Sequence, residues 1–208
     1  MTETKTVVFI IDDDSSVRKS LSRLLQSVGQ AVETFPSAEE FLSRDRFDGV
    51  GCIVLDVQMQ GLSGLDLQAE LSKAEYSMPI VFITGHGDIP MSVEAMRKGA
   101  IHFLTKPLDD NDLLKAIREA IEKDRKAKAE QAEIHDLCNR LNLLTHREYE
   151  IFRYVISGML NKQIGFQLNI AEKTVKIHRG RVMEKLRVDS VAELVRLAEK
   201  TDIAPLKK

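Results

Sequence analysis

Cysteine is scarce in this chain of 208 residues: only Cys52 and Cys138 occur, far apart and in no metal-binding spacing. That excludes a disulfide framework and a cysteine-rich zinc site, and both thiols read as reduced, as in a cytosolic protein. Long apolar runs are absent as well. None approaches the roughly 20 residues needed to cross a bilayer, so no membrane partner is expected. The opening residues, MTETKTVVFI, lack the basic region and cleavage site of a secretion signal, and a cytoplasmic location is the expectation. There is no internal repeat and no low-complexity tract. Net charge is also small, −2, but it hides a division. Residues 1–121 carry 12 Lys/Arg against 19 Asp/Glu, residues 122–139 carry 4 against 5, and residues 140–208 carry 14 against 8. The net charges are therefore −7, −1 and +6. An acidic first half and a basic last third imply two domains with different partners, the basic one suited to a polyanion.

What is present in the first 120 residues is an alternation. Short apolar runs lie at 7–11, 50–55, 80–83 and 101–104, with a weaker one at 31–35. Between them run helical patterns: Val17, Leu21, Leu24, Leu25 and Val28; Leu62, Leu65, Leu67 and Leu71; Val93 and Met96; Leu113, Leu114, Ile117 and Ile121. Strands alternating with helices predict an α/β doubly wound domain with a five-stranded parallel sheet, flavodoxin-like in strand order 2-1-3-4-5. Residues 122–139 contain neither Gly nor Pro and read as a helical linker continuing the preceding helix. Glu122–Lys126 and Asp124–Lys128 are acid-to-base pairs at helix spacing. Ile134, Leu137, Leu141 and Leu144 offer an apolar seam, read as part of a solvated helix, with a short coiled coil as the alternative. Beyond residue 145 the pattern is all helical, at 146–157, 161–168, 172–186 and 190–200. Thr145 and Glu148 form a capping box, and Asn161 reads as a second N-cap. The division expected is 1–121, a linker at 122–142, and an all-α four-helix domain at 143–208.

The strand ends carry the chemistry. The first run ends at Asp12, Asp13 and Asp14, the third at Asp56, the fourth at Thr84, and the fifth at Lys106. A doubly wound sheet gathers these at one edge. Two carboxylates a few ångströms apart repel by roughly 1–4 kcal/mol, and a hard divalent cation such as Mg²⁺ reverses that cost. The edge therefore reads as an Mg²⁺ site with a nucleophile or acceptor inside it. Asp14 stands apart as the cap of the next helix. His86 reads as a loop residue.

These residues resemble the receiver domain of two-component response regulators, over residues 5 to about 122. The resemblance implies that Asp56 accepts a phosphoryl group. It implies that Asp13 and Asp56, with the backbone carbonyl of Gln58, bind Mg²⁺ directly, and that Asp12 helps through water. It makes Lys106 the partner of the phosphoryl group, Thr84 the hydroxyl that swings to it, and Phe103 the aromatic switch that follows. One departure is Gln60, where the family usually has Pro; this removes no chemical group. A rival resemblance, to the haloacid dehalogenase phosphatases, would make Asp12 the nucleophile and Asp14 the acid, but the residues expected after that motif are missing.

The stretch GMLNKQIGFQLNIAEKTVKIHRGRVMEKL resembles the helix-turn-helix of LuxR-type regulators, the class that includes NarL and FixJ, with blocks LTHRE, NKQI, TVKIHR and EKL at that family's spacing. A helix over 172–186 would be about 22 Å long. Val175, Val182 and Leu186 would form its buried stripe, while Lys173, Lys176, Ile177, Gly180 and Glu184 would face the DNA major groove. Asn161 and Lys162 would meet a phosphate at the start of the supporting helix, and Thr174 and Arg179 are further backbone contacts. His178, between the faces, reads as a satisfied structural histidine, with a base reader as the alternative. Ala171 stands where the family commonly has a Ser cap, and Gly180 leaves the groove face without a side chain there, so that sequence preference rests on fewer groups or on DNA shape. Val191, Leu194, Val195 and Ala198 on the last helix would pack on their own domain and on a twin. Together the resemblances imply a transcription regulator rather than an enzyme. A sensor histidine kinase would be its phosphodonor and promoter DNA its target. They imply a homodimer once phosphorylated, contact with RNA polymerase and activation of transcription. The remaining alternative is a receiver-like module that dimerises constitutively and is never phosphorylated.

Overall fold

The apolar runs form strands β1 (Thr6–Ile11), β2 (Ala31–Phe35), β3 (Val50–Asp56), β4 (Ile80–Thr84) and β5 (His102–Thr105) in the computed structural model, which describes residues 6–74, 76–85 and 89–206. All pairings are parallel and the order is β2-β1-β3-β4-β5, as the alternation predicts. Helices α1 (Ser15–Ser27), α2 (Ala38–Ser43), α3 (Gly64–Lys73), α4 (Ile89–Arg97) and α5 (Asp110–Leu141) complete this part. The chain divides into units 1–128 and 129–208.

Side chains alternate across a strand, so β1 sends Val7, Phe9 and Ile11 to one face of the sheet and Val8 and Ile10 to the other. The first face is covered by Ala38 and Phe41 of α2, Leu67 and Leu71 of α3 and Ala95 of α4. The second is covered by Leu21 and Leu25 of α1 and Leu113 and Ile117 of α5. Each large side chain so buried contributes about 1.5–3 kcal/mol. Cys52 lies fully inside β3, where burial pushes its thiol up to about 12, whereas Cys138 is exposed.

Three features depart from expectation. Helix α2 was not legible, because its six residues make under two turns. Val93 and Met96 of α4 are 42% and 46% exposed, and the residue this helix buries is the small Ala95. Asp124 and Lys128, in the stretch read as linker, bond to the start of β3 and the residue before it. The buried Asp124 Oδ2 accepts the Gly51 N–H at 2.8 Å and pairs with Lys128 Nζ at 3.0 Å, while Lys128 also donates to the Gly49 carbonyl. His86 lies outside the described residues.

In the second unit, α6 (His146–Ile156), α7 (Asn161–Leu168), α8 (Glu172–Leu186) and α9 (Val191–Lys200) enclose one core with the end of α5. Of the seam, Leu137, Leu141 and Leu144 pack into that core, which corrects the solvated or coiled-coil reading for them, while Ile134 is not part of the core and residues 129–133 are exposed, as a solvated helix would be. The Thr145–Glu148 capping box is present. Glu148 is buried, and its Oε2 accepts from Thr145 N at 2.9 Å and from Lys185 Nζ at 2.6 Å. Burial alone would raise this carboxyl, but the Lys185 and Thr145 bonds outweigh it and hold the group at about 2. Asn161 is the first residue of α7 and not its cap. Leu160 holds the cap position, and Gln163 Oε1 reaches back to the Leu160 N–H at 2.8 Å. Leu194 and Ala198 of α9 are buried and Val191 packs beside them, joined by Leu197.

Candidate functional site

The parallel register brings the ends of β1, β3, β4 and β5 to one edge, with Ile11 beside Leu55, Asp56 beside Ile83 and Thr84 beside Thr105. Lys106 Nζ sits between two carboxylates there, donating to Asp12 Oδ2 and to Asp56 Oδ1 at 2.8 Å each. Asp12 is wholly buried and Asp56 is 4% exposed. The second oxygen of Asp12 accepts the Asp14 N–H at 2.8 Å, and that of Asp56 accepts the Gln58 N–H at 3.1 Å. Thr84 is buried, and its carbonyl accepts the Lys106 N–H at 2.7 Å. Phe103 is partly buried with its ring 6.2 Å from that of Phe82. Gly64 lets α3 start against the end of β3, because a Cβ at this position would lie 2.3 Å from the Asp56 carbonyl oxygen.

One ammonium between two buried carboxylates leaves an uncompensated negative charge. Desolvation raises the pKa of Asp56 despite the Lys106 bond. Burial alone would depress Lys106, but its bonds to Asp12 and Asp56 prevail and raise it. Asp13 is brought to the same edge but not into the cluster: it is exposed, and its Oδ2 accepts the Gln60 N–H at 3.1 Å. Among the described residues no three His, Cys, Asp or Glu side chains converge closely enough to hold a metal ion. The donor set itself fits a hard divalent cation, because it is all oxygen and carries excess negative charge.

Asp14 caps α1, its Oδ1 accepting the Ser16 N–H at 2.7 Å, and that bond lowers its pKa. A general acid needs the opposite shift. The phosphatase reading is disfavoured because the carboxylate it would use as its acid is spent as the cap of α1.

On α8, Val175, Val182 and Leu186 are buried, while Lys173, Lys176, Ile177, Gly180 and Glu184 are exposed, Ile177 by 50%. Thr174 is half-buried and Lys162 exposed. Arg179 Nη1 donates to Asn161 Oδ1 at 3.0 Å, joining two expected phosphate contacts across α7 and α8. Ala171 caps α8 with no side-chain bond, and a Cβ at Gly180 would meet nothing within 4 Å. His178 is not satisfied as expected: its Nδ1 is buried without a hydrogen-bond partner among the described residues.

Two family models match the chain: the response regulator receiver domain over residues 8–118, and the luxR family of bacterial regulatory proteins over residues 142–198. The chain is a response regulator of the NarL/FixJ family. This response regulator is 47% identical over 201 residues to Nodulation protein W of Bradyrhizobium diazoefficiens, covering 97% of this chain and 88% of that protein. It is 40% identical over 197 residues to the transcriptional regulatory protein FixJ of the same organism, covering 94% and 95%. Among solved structures it is similar to response regulator StyR, with a TM-score of 0.86, 46% identity and coverage of 94% and 99%. As a two-component response regulator it joins a receiver to a LuxR-type DNA-binding domain and regulates transcription. Among the described residues no helix is long and apolar enough to cross a membrane.

Two features escaped the sequence reading. The Gln60 N–H is a backbone donor and carries no side-chain signal. Glu39 of α2 accepts the Leu62 N–H at 2.9 Å, yet it sits on a helix too short to recognise.

Proposed function

We propose that Asp56 accepts a phosphoryl group from a phosphohistidine of a partner sensor kinase. The P–N bond breaks as an Asp56 carboxylate oxygen bonds to phosphorus, and the imidazole nitrogen keeps the electron pair. The observation that carries this reading is Lys106 Nζ at 2.8 Å from both Asp12 and Asp56, which favours ionised Asp56 and places a cation where phosphoryl charge arrives. Mg²⁺ would be held by Asp13, Asp56 and the backbone carbonyl of Gln58, with Asp12 acting through water. When bound, it neutralises charge on the transferred group. Thr84 and Phe103 respond to the new phosphoryl oxygens and alter the surface formed by α4, β5 and α5. A homodimer then forms and engages two promoter half-sites about one helical turn apart.

On DNA, Lys173, Lys176 and Ile177 enter the major groove, with Gly180 leaving room beside them. Asn161, Lys162, Thr174 and Arg179 lie toward the phosphates. Affinity falls steeply with salt. Contact with RNA polymerase and activation of transcription complete the reading, in the cytoplasm. The domain limits proposed are those read from the sequence, 1–121, 122–142 and 143–208.

Intact mass after incubation with Mg²⁺ and acetyl phosphate tests it. One phosphoryl adduct on the wild type and none on Asp56→Asn is expected. No adduct on either supports a constitutive dimerisation module. Turnover of the donor that is lost in Asp12→Asn supports a phosphatase.

A further inference from the structure

We propose that the backbone N–H of Gln60 competes with the divalent cation for Asp13, and so sets the cation affinity of the pocket. The inference rests on the reading of this edge as a cation site. Asp12 and Asp56 already share Lys106, so Asp13 is the one carboxylate of the triad free of that ammonium. Instead of turning inward, its Oδ2 accepts the Gln60 N–H at 3.1 Å, from a loop 47 residues away in sequence. The bond accompanies the failure of the three acids to converge.

The donor is held in place. Two residues before it, the Gln58 N–H donates to Asp56 Oδ2 at 3.1 Å; two residues after it, the Leu62 N–H donates to Glu39 Oε1 at 2.9 Å. Between them Gly61 has a φ of +81°, and a Cβ there would lie 2.7 Å from Glu39 Oε1. With the loop pinned on both sides of residue 60, a cation that draws Asp13 Oδ2 inward does so at the expense of this bond. A proline, usual here in receivers, has no N–H to offer. Gln60 therefore adds a donor, which corrects the expectation that the departure is chemically silent. The Gln60 side chain plays no part, because the donor is the amide.

The test is an Mg²⁺ titration of the ¹⁵N-labelled full chain, followed by amide chemical shifts in the wild type, Gln60→Ala and Gln60→Pro. In the wild type the Gln60 amide proton should move upfield at saturation as its charged acceptor leaves. Gln60→Ala keeps the N–H and should bind Mg²⁺ as the wild type does. Gln60→Pro should bind about five-fold tighter, the usual worth of one exposed hydrogen bond. A Gln60 amide that stays fixed at saturation overturns the proposal, as does a folded Gln60→Pro that binds no tighter than Gln60→Ala. If the proline variant does not fold, the wild-type amide decides alone. No Mg²⁺ response at any pocket amide in the wild type overturns the cation reading itself, and this inference with it.

Discussion

Replacing Glu148 by Gln keeps the shape of the side chain and removes its charge from a buried pair that joins the start of α6 to the end of α8. The ordinary carboxyl value is 4.5 and the folded one about 2. Each unit is worth about 1.4 kcal/mol, so the ionised form contributes about 3 kcal/mol. Lys185 keeps a third of its side chain in solvent. Screening trims the expected loss in Glu148→Gln to about 2 kcal/mol. The sign follows from the lowered value. The contribution is complete above pH 4.5 and disappears as pH falls through about 2. The wild type should thus lead the variant at neutral pH, and the gap should close on acidification through that window. Hydrogen exchange read by mass spectrometry on peptides from α6 and α8 of the full chain measures this. About thirty-fold less protection in the variant is expected at neutral pH. Equal protection at neutral pH, or a gap that does not narrow on acidification, would refute the reasoning.

Ala171→Ser should give α8 the side-chain cap it lacks and stabilise the second unit by about 1 kcal/mol; thermal unfolding without an upward shift would contradict this. Asp124→Leu should leave the Gly51 N–H buried without its acceptor and destabilise the first unit by about 2 kcal/mol, visible as faster exchange in β1 and β3 peptides. Unchanged exchange there would show that α5 does not brace the sheet. Gly180→Asn places an amide in open space on the groove face and should change the DNA sequences recovered by in vitro selection. Recovery of the same sequences with the same affinity would show that this position does not read bases.

The acids and the lysine of the pocket were legible because each terminates an apolar run, and a parallel sheet takes all such ends to one edge. Asp14 was separable from Asp12 and Asp13 because a helical pattern begins directly after it. The helix-turn-helix was legible to within a residue or so, since four separated sequence blocks stand at the spacing of the LuxR-type family. Other features were hidden for physical reasons. Val93 and Met96 make α4 look amphipathic, yet the sheet receives Ala95, whose size gives little signal. Asn161 is a good cap former, but Gln163 supplies a return bond to Leu160, and the polar residue moves inside the helix. Leu137, Leu141 and Leu144 fit a seam of any kind, and only packing shows that they belong to the second core. The Gln60 N–H belongs to the backbone and leaves no trace in residue type.

The two thiols differ in a way that is useful at the bench. Thiolate is the form that reacts with maleimides and haloacetamides. Cys52, sealed in β3 and pushed up to about 12, offers almost none at neutral pH, while Cys138 stands in solvent. A single dye can therefore be placed on the natural chain without mutagenesis. It would sit on α5 at a residue outside both the acid pocket and the exposed face of α8. Fluorescence anisotropy of that one label could then follow DNA association and a change of oligomeric state in the same sample, before and after exposure to a phosphodonor.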